Sequence, residues 1–162
     1  MTISTKALTR SAIILALAIA IQLAKLPQPF TGPAINALLF IAAALVGPMG
    51  AVLIGLCTPI VAFAFGIMPF VPAVFIIMLG NATLVIVFSV LEKRRVLAFL
   101  AAAICKFAIM ALLIQYIIPG LLQIKIPAKV AGALTIPQLW TALAGAVVAF
   151  IILKGIERYY KK

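Results

Sequence analysis

Apolar residues run along the chain in long stretches that short clusters of charged residues, prolines and glycines separate. A bilayer core about 30 Å thick is crossed by roughly 20 helical residues. Six stretches reach or approach this length, which predicts an all-α membrane protein with six transmembrane helices in a single domain over residues 1–162. The predicted helices cover about 8–26, 34–47, 49–66, 70–91, 96–118 and 136–156.

The second segment is short, and only Gly47 and Pro48 separate it from the third. A glycine–proline pair is a typical break, and one helix over 34–66 would be too long for a single crossing. We expect the second segment to be short, tilted or partly re-entrant, since irregular backbone is tolerated where protein covers it.

Composition supports the membrane assignment, because 67% of the residues are hydrophobic and only 9% are charged. A soluble domain of this length does not need so much apolar surface. The net charge of +11 would suggest a nucleic-acid partner in a soluble protein. In a membrane protein, Lys and Arg at the cytoplasmic helix ends explain it better, so no nucleic-acid partner is predicted.

The positions of Lys and Arg predict which loops face the cytoplasm. Six crossings with both termini inside place nine basic residues in the cytoplasm: Lys6, Arg10, Lys93, Arg94, Arg95, Lys154, Arg158, Lys161 and Lys162. The outer loops then hold three, which are Lys25, Lys125 and Lys129. This asymmetry predicts a multi-pass cell-membrane protein with a cytoplasmic N-terminus and a cytoplasmic C-terminus.

The predicted outer loops, 25–33, 66–72 and 119–137, are rich in proline. The last one is long and apolar, with Ile124, Ile126 and Val130, which are costly to leave in water. It is expected either to fold back over the helices as a lid or short amphipathic helix, or to lie on the lipid surface.

Few side chains that could perform chemistry are present. The chain has no His and no Asp, and its two acidic residues are Glu92 and Glu157 at predicted cytoplasmic helix ends. Hydrolases and metal sites of membrane enzymes need clusters of such groups, so neither an enzyme nor a cofactor is predicted. Proton-coupled carriers usually rely on a carboxylate or histidine that titrates inside the membrane, and this chain has neither there. Sodium held by carbonyl groups is still compatible with the sequence.

Lys106 lies near the centre of the fifth predicted helix, in "AAAICKFAIMA". An ammonium at this depth is costly, and it marks a functional site or a paired charge by default. Three interpretations are open: it binds an anionic ligand, it bonds to backbone carbonyls, or it snorkels or faces a partner subunit.

Other polar side chains lie mostly toward the predicted outer side. Amides offer both donors and acceptors, which suits a polar ligand in a pocket open to the outside, although helix-to-helix bonding is the simpler interpretation of any single one. The candidate substrate-binding residues are Gln22, Thr31, Asn36, Asn81, Lys106, Gln138 and Trp140.

The first predicted helix has an alanine at every fourth position: Ala12, Ala16, Ala20 and Ala24. At about 100° per residue these alanines share one face, and Gln22 lies about 140° from its centre. Small residues at this spacing permit close helix approach in lipid. The face is expected either to pack within the chain, against Thr141, Gly145 and Ala149, or to dock another protein.

The chain resembles the substrate-binding S components of energy-coupling factor (ECF) transporters. The resemblance rests on its size and topology, on the alanines of the first helix, and on "GPMGAVLIG" (47–55), similar to a stretch often seen between the second and third helices. It implies a bacterial or archaeal plasma-membrane subunit that binds a vitamin or related micronutrient under its outer loops. It further implies that the alanine face contacts a transmembrane coupling subunit, that two ABC-type ATPases supply the work, and that the S component topples to release substrate.

The resemblance leaves the substrate open. Lys106 points to a carboxylate or phosphate, as in a pantothenate-, lipoate- or niacin-like molecule. The alternative function is a stand-alone small secondary carrier or channel, and a third possibility is a membrane scaffold.

Overall fold

A computed structural model describes residues 5–160, and this part of the chain contains helices and no strand. Lys161 and Lys162, which the topology prediction includes, lie outside the described residues. The helices are α1 (Thr5–Leu23), α2 (Gln28–Leu45), α3 (Pro48–Ala64), α4 (Val71–Leu91), α5 (Arg95–Leu112), α6 (Ile118–Leu121), α7 (Ala128–Ala133) and α8 (Ile136–Tyr160).

Several helical segments of the described chain are long and apolar enough to cross a membrane. There are four of them, Thr5–Leu23, Gln28–Leu45, Val71–Leu121 and Ala128–Tyr159, and the apolar helix Pro48–Ala64 is shorter. The segment Val71–Leu121 has 51 residues, but it folds back at a 3-10 turn, Glu92–Arg94, so that α4 and α5 pack together. The all-helical class and the membrane assignment agree with the sequence analysis.

The second helix differs from its prediction. It begins at Gln28 rather than at about 34 and has 18 residues, so most of the predicted loop 25–33 is helical and the segment is not short. Pro29 lies in the first turn, where its missing N–H has no helical partner to lose. The prolines that suggested a loop therefore lie just before or inside the first turns of a helix.

The fifth helix changes its geometry before its predicted end. The α-helical part stops at Leu112, and one π-helical turn, Leu113–Ile117, connects it to α6. Pro119 follows this turn. It has no N–H for the carbonyl of Gln115, and its ring would clash with that carbonyl in a regular helix, which a wider turn avoids.

Two apolar clusters occupy opposite ends of the bundle. Near the Glu92–Arg94 turn, the Phe40 ring lies 5.2 Å from Phe88 and 4.8 Å from Phe99, centroid to centroid, in edge-to-face contacts. The second cluster lies toward α6 and α7 and includes Met110, Leu113, Ile114, Ile118 and Leu134. Between the two clusters lie the buried polar residues Asn81, on α4, and Lys106, on α5.

Helix α2 is the centre of the bundle, in contact with α1, α3, α4 and α8. It packs closely on α8 at Gly145, where a Cβ atom would lie 2.7 Å from the Asn36 Cβ and 2.7 Å from the Pro33 carbonyl oxygen. Thr141 and Ala149, on the same face of α8, are buried. This strip of small residues therefore packs on α2, and not on the alanines of α1.

Candidate functional site

One cavity of about 610 Å³ opens between the helices on the side of α7. This volume lies in the range of pockets for compact organic ligands. Its lining includes six of the seven predicted binding residues, which are Gln22, Thr31, Asn36, Asn81, Lys106 and Gln138.

Trp140 is the predicted residue that does not line this cavity, and it is 67% exposed. It follows Gln138 by two positions, and two helical steps rotate a side chain by about 200°. Gln138 lines the cavity, so Trp140 faces away from it.

Lys106 lies at the deep end of the cavity and is only 2% exposed. Its ammonium donates to Oδ1 of Asn36 across 2.7 Å and to Oδ1 of Asn81 across 2.8 Å. The acceptors are thus side-chain amides rather than the backbone carbonyls of one sequence interpretation. An ammonium has three donors, and the described residues supply acceptors for two of them.

Both asparagine amides are held in one orientation by their N–H₂ groups. Nδ2 of Asn81 donates to the Gly55 carbonyl (2.9 Å) and lies 3.4 Å from the Thr58 hydroxyl. Nδ2 of Asn36 lies 3.5 Å from the Thr141 hydroxyl. Because the amide nitrogens have acceptors elsewhere, both amide oxygens face Lys106.

Pro59 explains why the Gly55 carbonyl is available to Asn81. A proline inside a helix has no N–H for the carbonyl four residues before it, and Pro59 lies inside α3, four residues after Gly55. Sequence analysis missed this contribution of α3, including buried Thr58. A proline within an apolar helix was the signal, since it leaves a carbonyl that a polar side chain can pair with.

Gln22 extends the same network to α1. Its Nε2 donates to the Thr58 carbonyl across 2.9 Å, while its buried Oε1 has no hydrogen-bond partner among the described residues. Gln22 lines the cavity, so this buried acceptor lies beside the space that a ligand would occupy. Hydrogen bonds thus connect Gln22, Thr58, Asn81, Lys106 and Asn36 across five helices.

The charges on the cavity lining have one sign. Lys25, Lys129 and Lys106 line it, and no acidic side chain does. The two glutamates of the chain, Glu92 and Glu157, are exposed, and Glu157 pairs with Arg95. Sequence analysis used Lys25 and Lys129 only as markers of topology. A positive cavity with low-dielectric walls attracts anions.

The mouth of the cavity is bordered by the segment that contains α7. Gln28 donates from Nε2 to the Ala133 carbonyl across 2.9 Å, which ties this segment to the start of α2. Lys129, Val130 and Leu134 line the cavity. The 119–137 segment therefore lies partly over the cavity.

The two faces of α1 have opposite environments. Ile14, Ala18 and Gln22 are buried in the bundle, whereas the predicted docking residues, Ala12, Ala16, Ala20 and Ala24, are all exposed. Among residues 5–160, no helix covers this alanine face. The interpretation that it packs against Thr141, Gly145 and Ala149 is therefore wrong, because those residues pack on α2.

In the described part of the chain, no three His, Cys, Asp or Glu side chains lie together as metal ligands. Cys57 and Cys105 are unpaired thiols.

Comparison with known proteins adds one finding. A family model described as "ECF transporter, substrate-specific component" matches residues 6–157. The searches of curated proteins and of solved structures return no match.

Proposed function

Since the chain belongs to the family of ECF transporter substrate-specific components, we propose that it selects a vitamin or related micronutrient for uptake. Members of this family are subunits of membrane transporters, and the family is not an enzyme family. They pair with a transmembrane coupling component and two ATPases, and this chain is accordingly a multi-pass protein of the cell membrane.

The proposed arrangement has six crossings with both termini in the cytoplasm, in a bacterial or archaeal plasma membrane. The 610 Å³ cavity then faces outward and receives the substrate. The cavity is lined by three lysines and no acid, which supports an anionic substrate. The α7 segment, which borders its mouth, acts as part of the gate.

The observation that carries this proposal is the division of helix α1 into two faces. Gln22 lines the cavity on one face, and the alanines Ala12 to Ala24 lie exposed on another. One helix thus contacts both the substrate and the coupling subunit. A flat face of small residues suits a partner helix at short distance in lipid.

The energy source in this proposal is the ATPase pair. Proton-coupled carriers usually rely on a carboxylate or histidine that titrates inside the membrane, and this chain has no histidine and only two acids, the exposed glutamates at helix ends. A substrate-binding subunit that borrows work from ATPases has no need of such a group.

Purification of the tagged chain from its native membrane in a mild detergent tests the proposal. Mass spectrometry should identify a transmembrane coupling protein and two ABC-type ATPases with it. A chain that purifies alone and gives sodium-dependent uptake in liposomes would instead establish the stand-alone carrier. An unrelated tagged membrane protein from the same membranes controls for carry-over.

A further inference from the structure

We propose that the cavity selects a carboxylate that also carries an O–H or N–H donor, with the carboxylate on Lys106 and the donor on Gln22. This inference rests on the proposed function, because it names the substrate class of the same cavity. It adds a specificity-determining role for Gln22.

The anionic end of the ligand follows from the charge of Lys106. Its ammonium is buried, has two amide acceptors and one remaining donor, and has no carboxylate partner in the whole chain other than the distant Glu92 and Glu157. A buried charge without a counter-ion is costly. An anion that accepts the third N–H completes the ammonium's hydrogen bonds and neutralises its charge.

The floor of the cavity favours a carboxylate over a phosphate. Both Nδ2 groups of Asn81 and Asn36 point to acceptors of the protein, and no arginine lines the cavity. Phosphate sites usually offer several donors, from arginine forks or from backbone N–H groups. One lysine N–H matches the smaller demand of a carboxylate.

The donor on the ligand follows from the unpaired oxygen of Gln22. Its Oε1 is buried without a partner, a situation that folded proteins avoid. A flip of the amide would not cure this, because it would place the oxygen against the Thr58 carbonyl that Nε2 now contacts at 2.9 Å. A donor on a ligand in the cavity, which Gln22 lines, would supply the missing partner of Oε1.

We assign both polar contacts, to Lys106 and to Gln22, to one ligand because a single hydrogen-bond network connects these two side chains. Thr58 bonds to Gln22 through its carbonyl and to Asn81 through its hydroxyl, and Asn81 bonds to Lys106. The walls around this network are apolar and include Ile35, Pro59, Ala62 and Ile77. The ligand therefore has an apolar body between or beside its polar groups.

The experiment uses the wild-type chain in lipid nanodiscs and isothermal calorimetry with three matched pairs of probes. Pantothenate has a carboxylate and O–H and N–H donors, and pantothenyl alcohol lacks the carboxylate. Lipoate and nicotinate have a carboxylate without a donor, and lipoamide and nicotinamide are the corresponding neutral amides, in which an N–H₂ donor group replaces the charge. Pantothenate should bind most tightly, about 10- to 100-fold more tightly than pantothenyl alcohol, as expected for a hydrogen bond to a charged group.

Two variants then assign the contacts. Lys106→Met should weaken pantothenate by about 10- to 100-fold, whereas Lys93→Met, an exposed lysine in the Glu92–Arg94 turn, should not. Gln22→Leu should weaken pantothenate by about 2- to 10-fold and leave lipoate unchanged. Gln115→Leu, on an exposed amide outside the cavity, is its control.

The inference is overturned if no acid of the panel binds, if pantothenyl alcohol binds as tightly as pantothenate, or if lipoate and nicotinate match pantothenate. The wild-type comparison decides these points even if Lys106→Met does not fold. Failure here would leave the proposed function intact, since co-purification of the ATPases does not depend on these probes. If the chain purifies without ATPases but still binds the probes in this order, the proposed function is contradicted and the ligand inference stands.

Discussion

The Lys106 ammonium lies 2.7 Å from the amide oxygen of Asn36, a residue 70 positions earlier in the chain. This bond joins α5 to α2, and the second bond to Asn81 joins α4 to the same charge. Three helices are thus held around one buried cation. Such a cation is costly in a membrane unless it is paired, and the two amides supply partial charges but no counter-ion.

Asn36→Asp should convert this arrangement into an internal ion pair. A carboxylate at the position of the Asn36 amide would neutralise Lys106, and the Thr141 hydroxyl can rotate to donate to it. We expect the chain without ligand to keep its thermal stability and to bind carboxylates about 10-fold or more weakly, because their charge partner is taken. Calorimetry and thermal unfolding in nanodiscs measure both effects.

Asn36→Leu is the matched control for this substitution. It removes one acceptor from Lys106 and supplies no charge, so it should lower the stability of the chain by about 1–3 kcal/mol. Undiminished carboxylate binding by Asn36→Asp would mean that ligands do not contact Lys106.

Gly145→Ala should destabilise the packing of α8 on α2. The new Cβ would lie 2.7 Å from the Asn36 Cβ and from a backbone oxygen, neither of which is a flexible side-chain end. Overpacking of this kind costs about 1–3 kcal/mol. Gly155→Ala, in the same helix with no atom beyond its own helical turn within 4 Å of the new Cβ, should leave the unfolding midpoint unchanged or raise it. Equal midpoints for the two variants would contradict the close contact.

Ala18→Leu should lower the unfolding midpoint, whereas Ala16→Leu should not. Ala18 is buried inside the bundle and Ala16 is exposed. Only Ala18→Leu therefore overpacks the core, which should lower the free energy of unfolding by about 1–3 kcal/mol. Differential scanning fluorimetry of both variants measures this difference. If Ala16→Leu is the more destabilising one, the alanine face packs inside the protein and the rotation of α1 is wrong.

Cysteine labelling in intact cells should locate the two ends of the bundle. In a background without Cys57 and Cys105, a cysteine at Leu121, which is 78% exposed, should react with a membrane-impermeant maleimide added outside. A cysteine at Lys93 should react only after the membrane is opened, because positively charged loops stay in the cytoplasm. The reverse pattern would invert the proposed topology.

The sequence identified most of the polar residues of the cavity but not how they meet. Lys106, Asn36 and Asn81 are conspicuous in apolar helices because polar groups there need a reason. The two asparagines lie 25 and 70 positions before Lys106 in the chain. Helix packing brings them to its ammonium, and periodicity within one helix does not reveal this packing. Thr58 was missed because a threonine in a helix is unremarkable unless the effect of Pro59 on the Gly55 carbonyl is considered.

Rotation around each helix was predictable where the register was counted. Gln22 and the alanines of α1 were placed on different faces by this count, and the structure has Gln22 buried and the alanines exposed. Trp140 was predicted as a binding residue without such a count, and the helical period places it on the side opposite to Gln138. The start of α2 was misjudged because prolines in the first turn of a helix look the same in sequence as prolines in a loop.

The most direct test of the account is to purify the tagged Ala16→Leu chain from its native membrane and measure bound substrate and bound ATPases in one sample. The account predicts that the substrate found with the wild type is retained, while the coupling subunit and both ATPases are lost, because a leucine projects from the docking face. Ala144→Leu, on an exposed alanine of α8, should retain both. Loss of substrate together with the ATPases, or retention of both, by Ala16→Leu would contradict the division of α1 into a binding face and a docking face.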